Sequence, residues 1–113
     1  MIYINEGQNN TFCFSVKTDE GNALLESVPF TSKEALTKAI KALSPLVKKA
    51  SVFERKTDHD GRFLFTLKDG SGRIIGTSQY YSSEAGMENG IRNLRNRIAA
   101  ISGLNPVKGN ELL

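Results

Sequence analysis

The sequence predicts an α+β fold of two β-β-β-α repeats, related by an approximate twofold, that form one antiparallel sheet with both helices on one face. Three observations lead there. Slid 51 residues along itself without a gap, the chain sets Phe12, Phe14, Lys17, Gly21, Ser27, Ser32, Ile40 and Leu43 on Phe63, Phe65, Lys68, Gly72, Ser78, Ser83, Ile91 and Leu94. A period of that length marks one supersecondary unit per copy. In each copy apolar residues recur first at every second position and then at helical spacing. Finally, the halves of this 113-residue chain, 1–50 and 51–113, are each too small to bury a stable core alone, so 1–113 reads as one domain with a shared interior.

In repeat one, Ile2 and Ile4 alternate with polar neighbours, and Gly7-Gln8-Asn9-Asn10 supplies turn chemistry before Phe12, Phe14 and Val16. The alternation assigns Phe12, Phe14 and Val16 to the core face, and Cys13, Ser15 and Lys17 to a wetter one. Asp19-Glu20-Gly21-Asn22 turns into a third strand, Ala23 to Val28. Thr31-Ser32-Lys33-Glu34 fits a capping box in which Thr31 accepts from the Glu34 backbone. Leu36, Ala39, Ile40 and Leu43 then share a helix face, with Pro45 placed to end the helix.

In repeat two, Leu46 to Ser51 reads as a short polar connector and Val52 to Lys56 as the fourth strand. Thr57-Asp58-His59-Asp60-Gly61 turns into a fifth carrying Phe63, Phe65 and Leu67 inward, and Asp69-Gly70-Ser71-Gly72 leads to a sixth, Arg73 to Gln79. Ser82 or Ser83 caps a longer helix with Met87, Ile91, Leu94, Ile98 and Ile101 on one stripe. Gly86 and Gly90 each cost about 1 kcal/mol against Ala inside a helix, which points to a close crossing, here expected to be by a strand. The tail supplies a short strand around Pro106 to Gly109. Phe12, Phe14, Phe63, Phe65, Ile40, Leu43, Ile91 and Leu94 are the expected centre of the core.

The net charge of +3 is mild, and the chain has no apolar run long enough to span a membrane. A start without a basic and apolar leader, together with a single cysteine, Cys13, points to the cytoplasm. All six arginines, Arg55, Arg62, Arg73, Arg92, Arg95 and Arg97, lie in repeat two. Because the guanidinium forks onto phosphate or carboxylate better than an ammonium, repeat two is the better candidate to hold an anion.

Candidate chemistry is sparse. His59 between Asp58 and Asp60 reads as a solvated turn, because adjacent turn residues rarely converge on one metal. Cys13 has no adjacent base to make it a thiolate. Gly70-Ser71-Gly72 departs from the phosphate-loop pattern and precedes a strand, so it reads as a hairpin turn. Tyr81 is expected to pack beneath the helix cap, and Tyr80 is the candidate exposed aromatic.

Arg62 to Lys68, followed by Gly72, Ile74-Ile75-Gly76-Thr77-Ser78, Tyr81-Ser82-Ser83 and Gly90-Ile91, resembles the YegP-like family of small bacterial proteins. The closing Pro106-Val107-Lys108-Gly109-Asn110 is similar to the tail of its tandem members. Repeat one departs, with Phe30 where Tyr81 stands and Ala39 where Gly90 stands. The resemblance implies one sheet from two β-β-β-α units that exchange a terminal strand, and it implies no activity.

The functional expectation is a small, non-catalytic binding or interaction module that needs no cofactor or metal. It would be a monomer, since the repeat supplies an internal pseudo-dimer, and would take a protein partner rather than a membrane. The alternative is weak nucleic-acid binding through repeat two. Candidate anion or nucleic-acid contacts are Lys17, Arg62, Lys68, Arg73, Arg92 and Arg95, with Arg62, Leu64, Thr66 and Lys68 as an outward row.

Overall fold

The structure, a computed structural model, describes residues 2–100. Strands β1 (Ile2–Glu6), β2 (Phe12–Lys17) and β3 (Ala23–Ser27) precede helix α1 (Lys33–Leu46). Strands β4 (Phe53–Thr57), β5 (Phe63–Lys68) and β6 (Ile74–Thr77) precede helix α2 (Glu84–Ala100). The six strands form one antiparallel sheet in the order β1-β2-β3-β6-β5-β4. The expected strand around Pro106 to Gly109, its exchange, and the place of Ile101 lie outside the described residues.

Turn chemistry closes the hairpins as the sequence suggests. Asn9 and Asn10 take left-handed backbone between β1 and β2, a region Asn tolerates better than most residues. Gly21, Gly61 and Gly72 hold positive φ in the other three hairpin turns. Asp69 organises the last of these, its Oδ1 accepting from the backbone of Ser71 and Arg73.

At the centre of the sheet, Glu26 of β3 faces Thr77 of β6 and Ser27 faces Gly76. A Cβ at Gly76 would stand 2.8 Å from the Glu26 carbonyl oxygen and 3.0 Å from Leu25 Cγ. The bare backbone at Gly76 thus lets β3 and β6 approach, and Leu25 fills the space over it. Two serines brace the neighbouring strands. Ser27 Oγ accepts from Phe14 N at 2.8 Å and donates to the Val28 carbonyl, while Ser78 Oγ accepts from Phe65 N at 2.9 Å and donates to the Gln79 carbonyl.

One apolar cluster joins Ile2, Phe14, Val16 and Leu25 to Phe65 and Leu67 of the sheet, and to Leu36, Ile40, Leu43, Met87, Ile91, Leu94 and Ile98 of the helices. Helix α2 lies against β3 and β5, α1 lies against β2, and the helices touch. The expected centre is corrected at Phe12 and Phe63, which are only partly buried. Each sits at the start of its strand, paired with Glu6 or Thr57 on one side and by an isolated antiparallel bridge on the other, Phe12 to Phe30 and Phe63 to Tyr81.

Other local expectations also change. Ser15 and Thr66, on the expected wetter face, are only 7% and 4% exposed. They sit in interior strands with a paired strand on either side, Ser15 opposite Tyr3 and Glu26, and Thr66 opposite Glu54 and Thr77. Ser32, not Thr31, caps α1, its Oγ accepting from Ala35 N. Pro45 lies inside α1 rather than past its end. The helix continues to Leu46, and Leu46 and Val47 are buried in the core, so burial outweighs the hydrogen bond that proline cannot donate. That burial also replaces the expected polar connector. The fourth strand starts at Phe53 after a 3-10 turn, Ala50–Val52, the third ends at Ser27, and the sixth spans Ile74–Thr77. In α2, Ser83 is the capping serine, with Oγ accepting from Gly86 N. The close crossing is at Gly90 and is made by the Tyr81 ring, not by a strand, whereas the nearest atom to a Cβ at Gly86 would be the capping Ser83 Oγ, at 3.1 Å.

Candidate functional site

Three parts of the fold converge on one cleft of about 420 Å³: the end of α1, strand β4 and the exposed side of α2. Helical spacing sets Glu88, Arg92, Arg95 and Ala99 three or four residues apart along one face of α2, while the stripe of Met87, Ile91, Leu94 and Ile98 beside it is buried. From β4 comes Arg55, and from the residues after α1 come Val47 and Lys48. Ser44 and Asn96 add neutral polar groups, and Val47, Ile91 and Ala99 give a narrow apolar wall.

Each arginine has a defined anchor. Arg55 grips Glu88 in a two-point ion pair, Nε donating to Oε2 and Nη2 to Oε1, the latter at 3.0 Å. Arg95 Nη2 donates to the Lys48 carbonyl at 3.1 Å, and its guanidinium lies 5.9 Å from the Phe53 ring centre. Arg92 Nη1 donates to Asn89 Oδ1 at 3.0 Å. The hydrogen bond from Arg55 and its charge hold the Glu88 carboxyl below the ordinary glutamate value, and Glu88 raises Arg55 in return. Among the described residues, four cationic side chains share the cleft with one carboxylate, Glu88, which feels the charge of Arg92 as well as that of Arg55, while the hydrogen bonds of Arg92 and Arg95 go to neutral acceptors.

Of the six candidate contacts in the sequence, Arg92 and Arg95 come together here. The other four lie elsewhere. Arg62 precedes β5, bonds Asp58 at 2.8 Å and Asp60 at 3.3 Å, and stacks 4.0 Å from the Tyr80 ring centre. Lys68 bonds Glu54 at 2.8 Å. Lys17 stands 5.1 Å from the Tyr3 ring centre. Arg73 is on the β5–β6 turn, its backbone N–H tied to Asp69. The outward row Arg62, Leu64, Thr66, Lys68 is broken, since Arg62 is outside the strand and Thr66 is buried. Arg55, Lys48 and Glu88 were missed as members of a site. The concentration of arginine in repeat two is a sequence signal for Arg55; none points to Lys48.

The remaining candidates settle into structure. Tyr80 is 55% exposed beside a groove along the β3–β6 seam that includes Glu26, Thr77 and Gln79. Tyr81 packs against the core, stacked 6.5 Å from Phe65. His59 is exposed in its turn, where the Asp58 carboxylate accepts from the backbone of Asp60 and Arg62. Cys13 is partly buried on β2. Among the described residues, no group of three His, Cys, Asp or Glu stands close enough to hold a metal, and no helix is long and apolar enough to cross a membrane.

Comparison with known proteins agrees with the fold. Residues 58–108 match the family described as a domain of unknown function, DUF1508. The UPF0339 protein in ptx operon 5'region of Stutzerimonas stutzeri is 32% identical over 85 residues, covering 75% of this chain and 77% of that one. UPF0339 protein YegP of Escherichia coli K12 is 32% identical over 92 residues, covering 81% and 84%. The solution NMR structure of E. coli yegP, a protein of unknown function, superposes with a TM-score of 0.79 at 30% identity, covering 86% of this chain and 84% of that one. With the same six-stranded sheet and two helices, the chain belongs to the UPF0339 (DUF1508, YegP-like) family, whose members have no established function.

Proposed function

We propose that the protein is a small, non-catalytic binding module whose partner presents an anionic group to the cleft between α1, β4 and α2. One observation carries this reading: among the described residues, Lys48, Arg55, Arg92 and Arg95 line a single concavity with one carboxylate, Glu88. Guanidinium forks favour a bound carboxylate or phosphate over a neutral ligand there. The architecture that builds the cleft is a duplicated β-β-β-α unit, paired about an approximate twofold with both helices on one face. It acts as one monomeric domain in the cytoplasm. Support for the pairing comes from equivalent contacts in the halves, such as Ser27 to Phe14 and Ser78 to Phe65.

Nucleic-acid binding along the outward sheet face has less support, because Arg62 and Lys68 are already engaged by carboxylates. A thermal-shift assay separates the two. Phosphate should raise the Tm of the wild type and of a variant carrying Arg62→Glu and Arg73→Glu, but not of one carrying Arg92→Glu and Arg95→Glu. Equal stabilisation of all three would reject the cleft, and salt-sensitive binding to duplex oligonucleotides that persists in the α2 variant would favour the outward face.

A further inference from the structure

We infer that the cleft's ligand is a small organic phosphomonoester, with its dianionic head facing Arg92 and Arg95 and its organic body against Val47, Ile91 and Ala99. This rests on the anion-binding reading above and adds the charge and size of the ligand.

The charge follows from the ion pairs. Glu88 spends its carboxylate on Arg55 in a two-point contact, so Arg55 is compensated before any ligand arrives. Among the described residues, the hydrogen bonds of Arg92 and Arg95 go to neutral oxygens, those of Asn89 and the Lys48 backbone, although Arg92 also feels the Glu88 charge at longer range. Those bonds orient the forks without cancelling their charge, and they leave donors on both guanidiniums. Lys48 adds a third cation to the same wall. A phosphomonoester carries close to two charges near neutral pH and three acceptor oxygens, which matches two oriented forks better than a monocarboxylate does.

The size follows from the space. The cleft, at about 420 Å³, is in the range of sites for small ligands, and one tetrahedral oxyanion leaves most of it empty. Exposed Ala99 and the small exposed edges of Val47 and Ile91 line part of the remainder, and the water in contact with them is released when an organic body replaces it. Glu88, held on Arg55, keeps one negative charge in the cleft and so works against long polyanions.

The test is an NMR titration of the isotope-labelled full chain with phenyl phosphate, inorganic phosphate and benzoate. Phenyl phosphate should shift resonances of Val47 and of Ile91 to Asn96, binding about tenfold tighter than either other probe. Arg92→Glu should weaken it by about tenfold or more, and Arg73→Glu should leave it unchanged. Since Arg95 also touches Phe53, Arg92→Gln serves as the milder control and should give an intermediate loss. Benzoate binding as tightly as phenyl phosphate would overturn the dianion, and inorganic phosphate binding as tightly would overturn the organic body; either result leaves the anion module standing. A phosphotyrosine peptide more than about tenfold tighter than phenyl phosphate would replace the small ligand with a protein partner. No shift in the cleft with any anion would overturn both proposals.

Discussion

Tyr81 rests its ring on Gly90: a Cβ added at Gly90 would collide with the Tyr81 hydroxyl and come within 2.5 Å of Cζ. The glycine is there because a side chain from outside the helix takes the space its own would use. At the aligned positions of the first half stand Phe30 and Ala39, where the missing hydroxyl goes with a methyl group.

Gly90→Ala should therefore destabilise the protein, although it improves intrinsic helix propensity by about 1 kcal/mol. Overpacking of this kind costs about 1 to 3 kcal/mol. Adding Tyr81→Phe should recover part of the loss by restoring the pairing of the first half. Chemical denaturation of the two single variants and the double measures the coupling. A double variant no more stable than Gly90→Ala alone would break the link between the residues.

The central strand pair offers a second test. Gly76→Ala forces a methyl toward the Glu26 carbonyl oxygen, 2.8 Å from the ideal Cβ, and backbone yields less easily than a side chain. Leu25→Ala instead empties the space above Gly76, at a cost of about 2 to 5 kcal/mol. Both should lower the Tm, and amides of β3 and β6 should exchange faster in each. Unchanged exchange in Gly76→Ala would show that the seam has slack.

Ser78 is the third. Its Oγ accepts from Phe65 N and donates to the Gln79 carbonyl, so Ser78→Ala strands a donor inside the sheet, at about 1 to 3 kcal/mol. Ser27→Ala should act alike through Phe14. Replacement by Thr, which keeps the hydroxyl, should cost less in the same unfolding assay if hydrogen bonding is what matters.

Acid should loosen the fold in a defined direction. Glu88 is depressed by the hydrogen bond and charge of Arg55, and Glu54 by hydrogen bonds from Lys68 and Lys56, both from an ordinary value of 4.5. A carboxyl whose folded pKa lies below its unfolded one contributes fully above the unfolded value and loses that contribution as pH falls through the folded one. The Tm should hold near neutrality and decline as pH drops from about 4.5. Glu88→Gln should give a shallower decline, and parallel curves for the two proteins would remove Glu88 from the acid response.

The sheet, its turns and most of the core were legible because they rest on periodicity: Phe14, Val16, Phe65 and Leu67 alternate, and Leu36, Ile40, Leu43, Met87, Ile91 and Leu94 keep helical spacing. What escaped is set by neighbours from other elements. Pro45 marks a helix end by local rules, yet the buried Leu46 and Val47 carry the turn past it. Ser15 and Thr66 look solvent-facing in their strands and are covered by the strands beside them. The cleft has the same origin. Arg92 and Arg95 are one turn apart and could be grouped from sequence, whereas Lys48 and Arg55 join them only because the end of α1 and the start of β4 dock beside α2.

The joining of β3 to β6 also sets an order of events for a chain made from one end. A ribosome releases β1 through α1 first, and the apolar side of that half is covered only in part, by α1 against β2, until β6 and α2 emerge. During that interval Phe14, Val16, Leu25 and Ile40 are open to wrong partners, including the same segment of another nascent chain. Slow translation across the second half would lengthen the exposure, and a chaperone that shields the first half would shorten it.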